Sequence, residues 1–324
     1  MVDMALETSV ERREFEAAVE RHRRELHVHC YRMLGSLDEA YDAVQETFLR
    51  AWRRRSTYAG RASLRAWLYK IATNTCLDAL GARPRRPTPI EDAGARGGPV
   101  TEVLWLQPYP DALLEPDAAL VAKETIELAF MVAIQHLTPQ ARAVLILRDV
   151  LDWSARDTAE VLETSTAAVN SALQRARGAL AERLPAERAE WPAATTDPTA
   201  AERELPRRYM DASDRADVAA LKATLHDDLV FSMPPQPGVW TGVDRVVDGW
   251  VEGGLGSPEF GTMHCRLTAA NRQPAVACWV RKPGEEVARL FAVDVLTLED
   301  GLVREIVTFS GDRVLGTFGL PTEL

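Results

Sequence analysis

Residues 164–181, TSTAAVNSALQRARGALA, carry no acid in a chain whose formal net charge is −10. Ser165, Thr166, Asn170, Ser171, Gln174, Arg175 and Arg177 stand there among alanines. Amide and guanidinium groups can pair with base edges, hydroxyls and cations can hold phosphates, and small neighbours permit close approach to a groove. A second set lies between Arg50 and Lys70, where seven basic residues occur without an acid. Tyr58, Arg61 and Ser63 sit on a short loop beside it, followed by Tyr69, Lys70, Thr73 and Asn74. Basic charge with aromatic rings is the chemistry that holds single-stranded phosphates and stacks bases. A third set lies toward the end of the chain. His226, Asp228, His264 and Asp294 are candidate general bases, with Phe231, Met233, Trp240 and Trp250 as the lining of a ligand pocket. An Asp pair can equally cap a turn, and a strand histidine can be a plain side chain, so binding or regulation ranks ahead of catalysis.

These groups need elements to position them. LDEAYDAVQETFLRAWRRR, residues 37–55, places Ala40, Val44, Phe48, Ala51 and Trp52 on one helical face. Asp42, Gln45, Glu46, Leu49 and Arg53 fall on the other. In residues 61–80, Leu64, Trp67, Leu68, Ile71, Thr75 and Ala79 share one side, which leaves Tyr69, Lys70, Thr73 and Leu77 opposite. Further on, Thr138 is placed as the N-cap of a helix whose first residue is Pro139. A short helix over Ala155 to Leu162, a turn of Glu163, Thr164 and Ser165, and a longer helix from Thr166 give helix-turn-helix spacing. Ala159 lets the two helices approach, and Val169 and Leu173 pack inward. Glu163 occupies a turn position where glycine is usual.

The remaining texture sets the domain plan. Helical periodicity dominates to about residue 185, interrupted by the Pro/Gly/Arg-rich stretch 82–100, which reads as a flexible linker. Leu104, Trp105 and Leu106 just beyond it could dock on a neighbour. A second break over residues 185–206 precedes strand-like runs with β-branched and aromatic residues between turn signals. The expected domains are residues 10–83, 117–185 and 204–324, joined by linkers over 84–116 and 186–203. At 46% hydrophobic and 27% charged residues the composition is that of globular protein, with no signal peptide and no apolar run long enough to span a bilayer. A cytoplasmic location is expected. Cys30, Cys76, Cys265 and Cys278 form no C-x-x-C pair, so reduced thiols are expected rather than disulfides or a metal site, and no cofactor is implied.

Taken in order, DAVQETFLRAWR, ASLRAWLYKIATNTCLDAL, the basic linker and LTPQARAVLILRDVLDWSARDTAEVLETSTAAVNSALQRARGAL resemble an extracytoplasmic-function (ECF) sigma factor over residues 12–185. The resemblance implies two all-α modules, a helical bundle and a helix-turn-helix, that bind core RNA polymerase and promoter DNA. It implies that Asp42, Gln45, Glu46 and Arg53 face the polymerase clamp. The loop from Tyr58 to Ser63, with Tyr69, Lys70, Thr73 and Asn74, would face the melted minus-10 strand, and the helix from Ser165 to Arg177 would read the minus-35 element. Residues from 204 on resemble the cone-shaped α+β SnoaL-like fold, related to nuclear transport factor 2, on HDDLVFSMPP, WTGVDRVVDGW and DGLVREIVTF. Such a domain behind two tethered modules is expected to regulate them by intramolecular contact, with no enzymatic activity. Two alternatives stay open, a ligand-sensing helix-turn-helix regulator and a SnoaL-like enzyme with a helical extension. DAVQETFLRAWR separates the first from a sigma factor, because a plain repressor has no use for a clamp-facing helix.

Overall fold

The computed structural model describes residues 13–58, 63–82, 103, 106–114, 126–184, 200–236 and 238–324. The chain folds as two compact units, residues 1–88 with 133–191 and residues 89–132 with 192–324.

The first unit is all-α. Helices α1 (Arg23–Leu34), α2 (Leu37–Arg53) and α3 (Leu64–Gly81) form a bundle. α1 ends where Gly35 turns left-handed at φ +71°, and a Cβ there would lie 3.0 Å from the Gln135 side chain. α2 starts at Ser36, whose hydroxyl accepts the Glu39 N–H, and buries Leu37, Ala40, Ala43, Val44, Thr47 and Ala51. Helix α4 (Leu128–Gln135), which enters this unit at Ala133, leads to α5 (Pro139–Leu145), which runs on into a π-helical turn, Ile146–Val150. The cap at Thr138 forms as expected, accepting the Ala141 N–H at 3.3 Å. α6 (Ala155–Val161) and α7 (Thr166–Ala181) complete the helix-turn-helix. Ala159, Val169 and Leu173 are buried between its helices.

In this unit the two helical modules pack on each other. Arg142 of α5 is buried, and its guanidinium donates to the carbonyls of Ile134, Gln135, Leu137 and Met33 and to the Gln135 side chain. A buried cation is costly unless its donors are satisfied, and backbone carbonyls satisfy these. Because Met33 lies in the last turn of α1 while the other partners lie at and just beyond the end of α4, this side chain fastens one module to the other.

The second unit is α+β. Strands β1 (Leu225–Ser232), β2 (Val239–Thr241), β3 (Thr262–Ala270), β4 (Gln273–Arg281), β5 (Arg289–Glu299) and β6 (Leu302–Ser310) form one sheet in the order β2-β1-β6-β5-β4-β3. β1 runs parallel to β6 and every other pair is antiparallel. Register shifts between Leu225 and Val230, Cys278 and Trp279, and Thr297 and Leu298 bend the strands. Helices α8 (Ala200–Asp214), α9 (Val218–Lys222) and α10 (Val243–Glu252) pack against the sheet, and a short α11 (Asp312–Leu315) follows β6. Their shared core includes Leu205, Tyr209, Leu229, Val247, Val276 and Ile306.

One segment departs from the expected plan. Val103 and residues 106–114, within the expected linker over 84–116, belong to this second unit with Val103, Leu106 and Tyr109 buried, Leu106 being one of the residues expected to be able to dock on a neighbour. Leu104 and Trp105 lie outside the described residues. Composition reports the missing periodicity of such a segment, but not the surface to which it adheres.

Candidate nucleic-acid interface, linker clamp and cavity

α7 places the predicted groove-reading residues as a row. Thr166, Asn170, Ser171, Gln174, Arg175 and Arg177 are exposed, while Val169, Leu173, Ala176 and Leu180 are buried beneath them. Ser165 is the N-cap, its hydroxyl accepting the Ala168 N–H at 3.1 Å, so its oxygen is already engaged. Arg177 is also engaged, donating to both carboxylate oxygens of Asp149 at 2.7 and 2.8 Å. The turn ahead of α7 is tight because Glu163 adopts φ +52°, the left-handed region that a glycine would enter without strain.

On α2, Asp42, Gln45 and Arg53 are exposed beside Leu49, which is 52% exposed. Glu46 is half-buried and accepts from Arg50 at 2.7 Å, and Arg50 also donates to Asp78 of α3 at 2.6 Å. The face therefore presents acids, an amide, a cation and an uncovered leucine.

The predicted strand-contacting residues separate into two groups. Tyr58, Ser63, Lys70 and Asn74 line one groove of about 860 Å³ with Arg54, Arg65 and Trp67. Trp153, Asp157, Glu160 and Glu163 of the helix-turn-helix module face them across it. Lys70 is drawn to that side: its ammonium lies 3.4 Å from the Glu163 carboxylate and donates to the Glu160 carbonyl at 3.3 Å. Ser63 serves as N-cap of α3, and Arg61 lies outside the described residues.

Tyr69 and Thr73 do not face a strand. Both are buried: Thr73 donates to the Tyr69 carbonyl at 2.8 Å and stands 2.9 Å from His29 Nε2. Tyr69 donates to Glu25 at 3.2 Å, lies under the Arg65 guanidinium and has its ring 5.5 Å from that of Trp153. Burial pushes the Tyr69 hydroxyl far above its ordinary range. The helical period assigned these residues to an outer face. α3 instead has neighbours on both sides, α1 and α2 on one and the second module on the other.

The α+β unit holds a cavity of about 410 Å³, lined by Phe231, Met233, Trp240, Trp250 and Asp294 among others. Asp294 accepts from Thr308 at 2.6 Å and Tyr209 at 3.0 Å. Burial raises its carboxyl pKa although both hydrogen bonds act the other way, and burial likewise raises that of the Tyr209 hydroxyl. His226, Asp228 and His264 do not line this cavity. In the irregular stretch of β1 Asp228 is exposed and His226 half-buried, and His226 Nδ1 accepts the Asp228 N–H at 3.0 Å. His264 alternates with Met263, which does line the cavity, so it takes the opposite face.

Sequence reasoning missed a buried amide clamp at the β3–β4 turn. Asn271 and Arg272 adopt φ +55° and +58° and reverse the chain. Asn271 Oδ1 accepts the Tyr109 N–H at 2.8 Å, its Nδ2 donates to the Ile126 carbonyl at 2.6 Å, and its own N–H donates to the Tyr109 carbonyl at 2.8 Å. Arg272 N–H donates to Asp111 at 2.9 Å, and Gln273 Oε1 accepts the Leu128 N–H at 2.8 Å. The hairpin tip thus holds the chain both before and after residues 115–125. Asn-Arg between two β-like runs marks a turn in sequence, but the complete burial of Asn271 has no sequence signature.

Among the described residues no cluster of His, Cys, Asp and Glu could hold a metal, and no helix is long and apolar enough to cross a membrane. Three family descriptions match the chain: Sigma-70 region 2 over residues 18–86, Sigma-70 region 4 over 127–180 and a SnoaL-like domain over 207–306. The chain is 40% identical to the ECF RNA polymerase sigma factor SigG of Mycobacterium tuberculosis, over 98% of this chain and 87% of that one. It is 31% identical to the ECF RNA polymerase sigma factor SigW of Bacillus subtilis, over 48% of this chain and 80% of that protein. The crystal structure of the M. tuberculosis extracytoplasmic function sigma factor SigJ has the same fold, with a TM-score of 0.63 at 24% identity, covering 94% of this chain and 99% of that one.

Proposed function

Because the chain belongs to the ECF RNA polymerase sigma factors, we propose that each of its surfaces serves one step of promoter-directed transcription initiation. The α2 face of Asp42, Gln45, Glu46, Leu49 and Arg53 docks on core RNA polymerase. The groove of Tyr58, Ser63, Lys70 and Asn74 takes the melted minus-10 strand. The row from Thr166 to Arg175 on α7 enters the major groove of the minus-35 element. The observation that carries this reading is α7 itself, where every polar residue of the acid-free stretch is exposed above a buried apolar stripe and, among the described residues, only Ser165 and Arg177 have side-chain partners of their own, the Ala168 N–H and Asp149.

The α+β domain is a regulatory part of the same machine, acting in the cytoplasm with its partners. Two features support this. Its hairpin tip holds the segment that joins the two sigma modules. The Asp294 carboxylate is engaged by Tyr209 and Thr308 of its own domain, so the cavity suits binding of a small, largely apolar molecule better than turnover. Intramolecular contact, through the held linker, is the means by which the domain modulates the modules.

Run-off transcription with purified core polymerase tests the reading. Ala at Gln174 or Arg175 is expected to relax preference at individual minus-35 positions, and charge reversal of Asp42 and Glu46 to abolish polymerase binding with the fold intact. Undiminished transcription by the doubly reversed protein would overturn the assignment of the α2 face.

A further inference from the structure

We propose that Cys265 and Cys278 form a two-thiol modification site that hydroperoxides convert to an intramolecular disulfide within the β3–β4 hairpin. The two residues stand directly opposite in the antiparallel register, with their sulfurs 3.3 Å apart. β3 is the outer strand of the sheet, and the Cys265 N–H donates to Asp214 at 2.8 Å rather than to β4. The pair therefore does not exchange backbone hydrogen bonds. Opposed residues of that kind bring their Cα atoms to about 4.5 Å, whereas a hydrogen-bonded pair holds them at about 5.5 Å. A disulfide needs a Cα separation of about 4.4–6.8 Å. Side-chain rotation alone can then bring the sulfurs into bonding distance, with the strands left in place.

Access and order of reaction also follow from position. Cys30 and Cys76 are fully buried, whereas Cys265 is half-exposed and Cys278 lines the cavity. The hydrogen bond with Cys265, together with burial, pushes the Cys278 thiol well above its ordinary range. Cys265 is accordingly the first nucleophile. Its thiolate attacks one peroxide oxygen, the O–O bond breaks, and the other oxygen leaves as an alcohol or water after taking a proton. The product is a sulfenic acid on Cys265. The Cys278 sulfur then attacks that sulfur, the S–O bond breaks, and the hydroxyl departs with the Cys278 proton as water. Two thiols lose two electrons in all, and one hydroperoxide gains them. The ring so closed contains the Asn271 turn, so oxidation would pin the hairpin that holds the linker segment.

Full-length protein exposed separately to hydrogen peroxide and to cumene hydroperoxide, then denatured and titrated for thiols, tests this. The four thiols of the chain should fall to two, return to four on reduction, and yield one linked peptide pair joining Cys265 to Cys278. In C278S, Cys265 should stop at a sulfenic acid trapped by dimedone, and C265S should keep all its thiols. Four thiols remaining in the unaltered protein would overturn the proposal. So would conversion of Cys265 to sulfinic acid without linkage, or a disulfide that includes Cys30, Cys76 or a second chain. Mapping the unaltered protein decides the matter even if either variant folds poorly.

Discussion

Replacing Asn271 by alanine should release the linker segment from the α+β domain. The side chain is fully buried and makes two hydrogen bonds to that segment, accepting from Tyr109 and donating to Ile126. Keeping the segment docked without the amide would leave one N–H and one carbonyl unpaired, at roughly 1–3 kcal/mol each, or about 2–6 kcal/mol together. Detachment hydrates both groups and avoids that cost, so the balance shifts toward the open state by that amount. Even the lower figure predicts amide exchange about 30-fold faster across residues 106–114, since about 1.4 kcal/mol is one decade. Hydrogen exchange read by mass spectrometry on the full-length chain measures it. Alanine also adds strain at φ +55°, roughly 1–2 kcal/mol, so Asn271→Gly is the matched control. It removes the amide without that strain and should release the segment equally. Exchange within about threefold of the unaltered protein in both variants would refute the clamp. If the clamp is also the regulatory contact, promoter activity in run-off transcription should change in both variants.

Other expectations follow from the same contacts. Glu163→Gly relieves a left-handed residue, a gain of about 1 kcal/mol, and gives up an exposed ion pair with Lys70 worth about 0–1 kcal/mol. Its urea midpoint should hold or rise while affinity for single-stranded DNA rises, and unchanged affinity would remove Glu163 as a competitor for that groove. Asp149→Asn should free Arg177 and steepen the salt dependence of duplex binding through one more phosphate contact; an unaltered slope would mean that Arg177 does not reach DNA. Burial lowers His29 from 6.5 to about 3, so the unfolded chain binds the extra proton between those values. That stabilisation is complete above pH 6.5 and is lost as pH falls toward 3, amounting to about 2 kcal/mol by pH 5, with His27 adding to it because burial lowers it to about 4. Denaturant unfolding at pH 7 and pH 5 checks it, and equal midpoints would show that the two imidazoles are not held neutral.

Much of this protein is decided locally. The helix-turn-helix follows from caps, a short turn and a period of 3.6 residues, all short-range properties, so α6 and α7 fall where the sequence placed them. The exposure of Asn170, Gln174 and Arg175 is legible for the same reason: on a helix with one buried stripe, spacing alone assigns the outer face. Tyr69 and Thr73 show where that argument ends. A periodic helix has an outer face only if a single neighbour covers it, and α3 has neighbours on two sides. The separation of Phe231 and Asp294 from His226, Asp228 and His264 depended on strand alternation and on a bulge in β1, neither of which composition reveals. Asn271 with Tyr109, and Cys265 with Cys278, were likewise beyond the sequence. Each pair is joined by a register or a docking between distant segments, and only the packed chain fixes such distances.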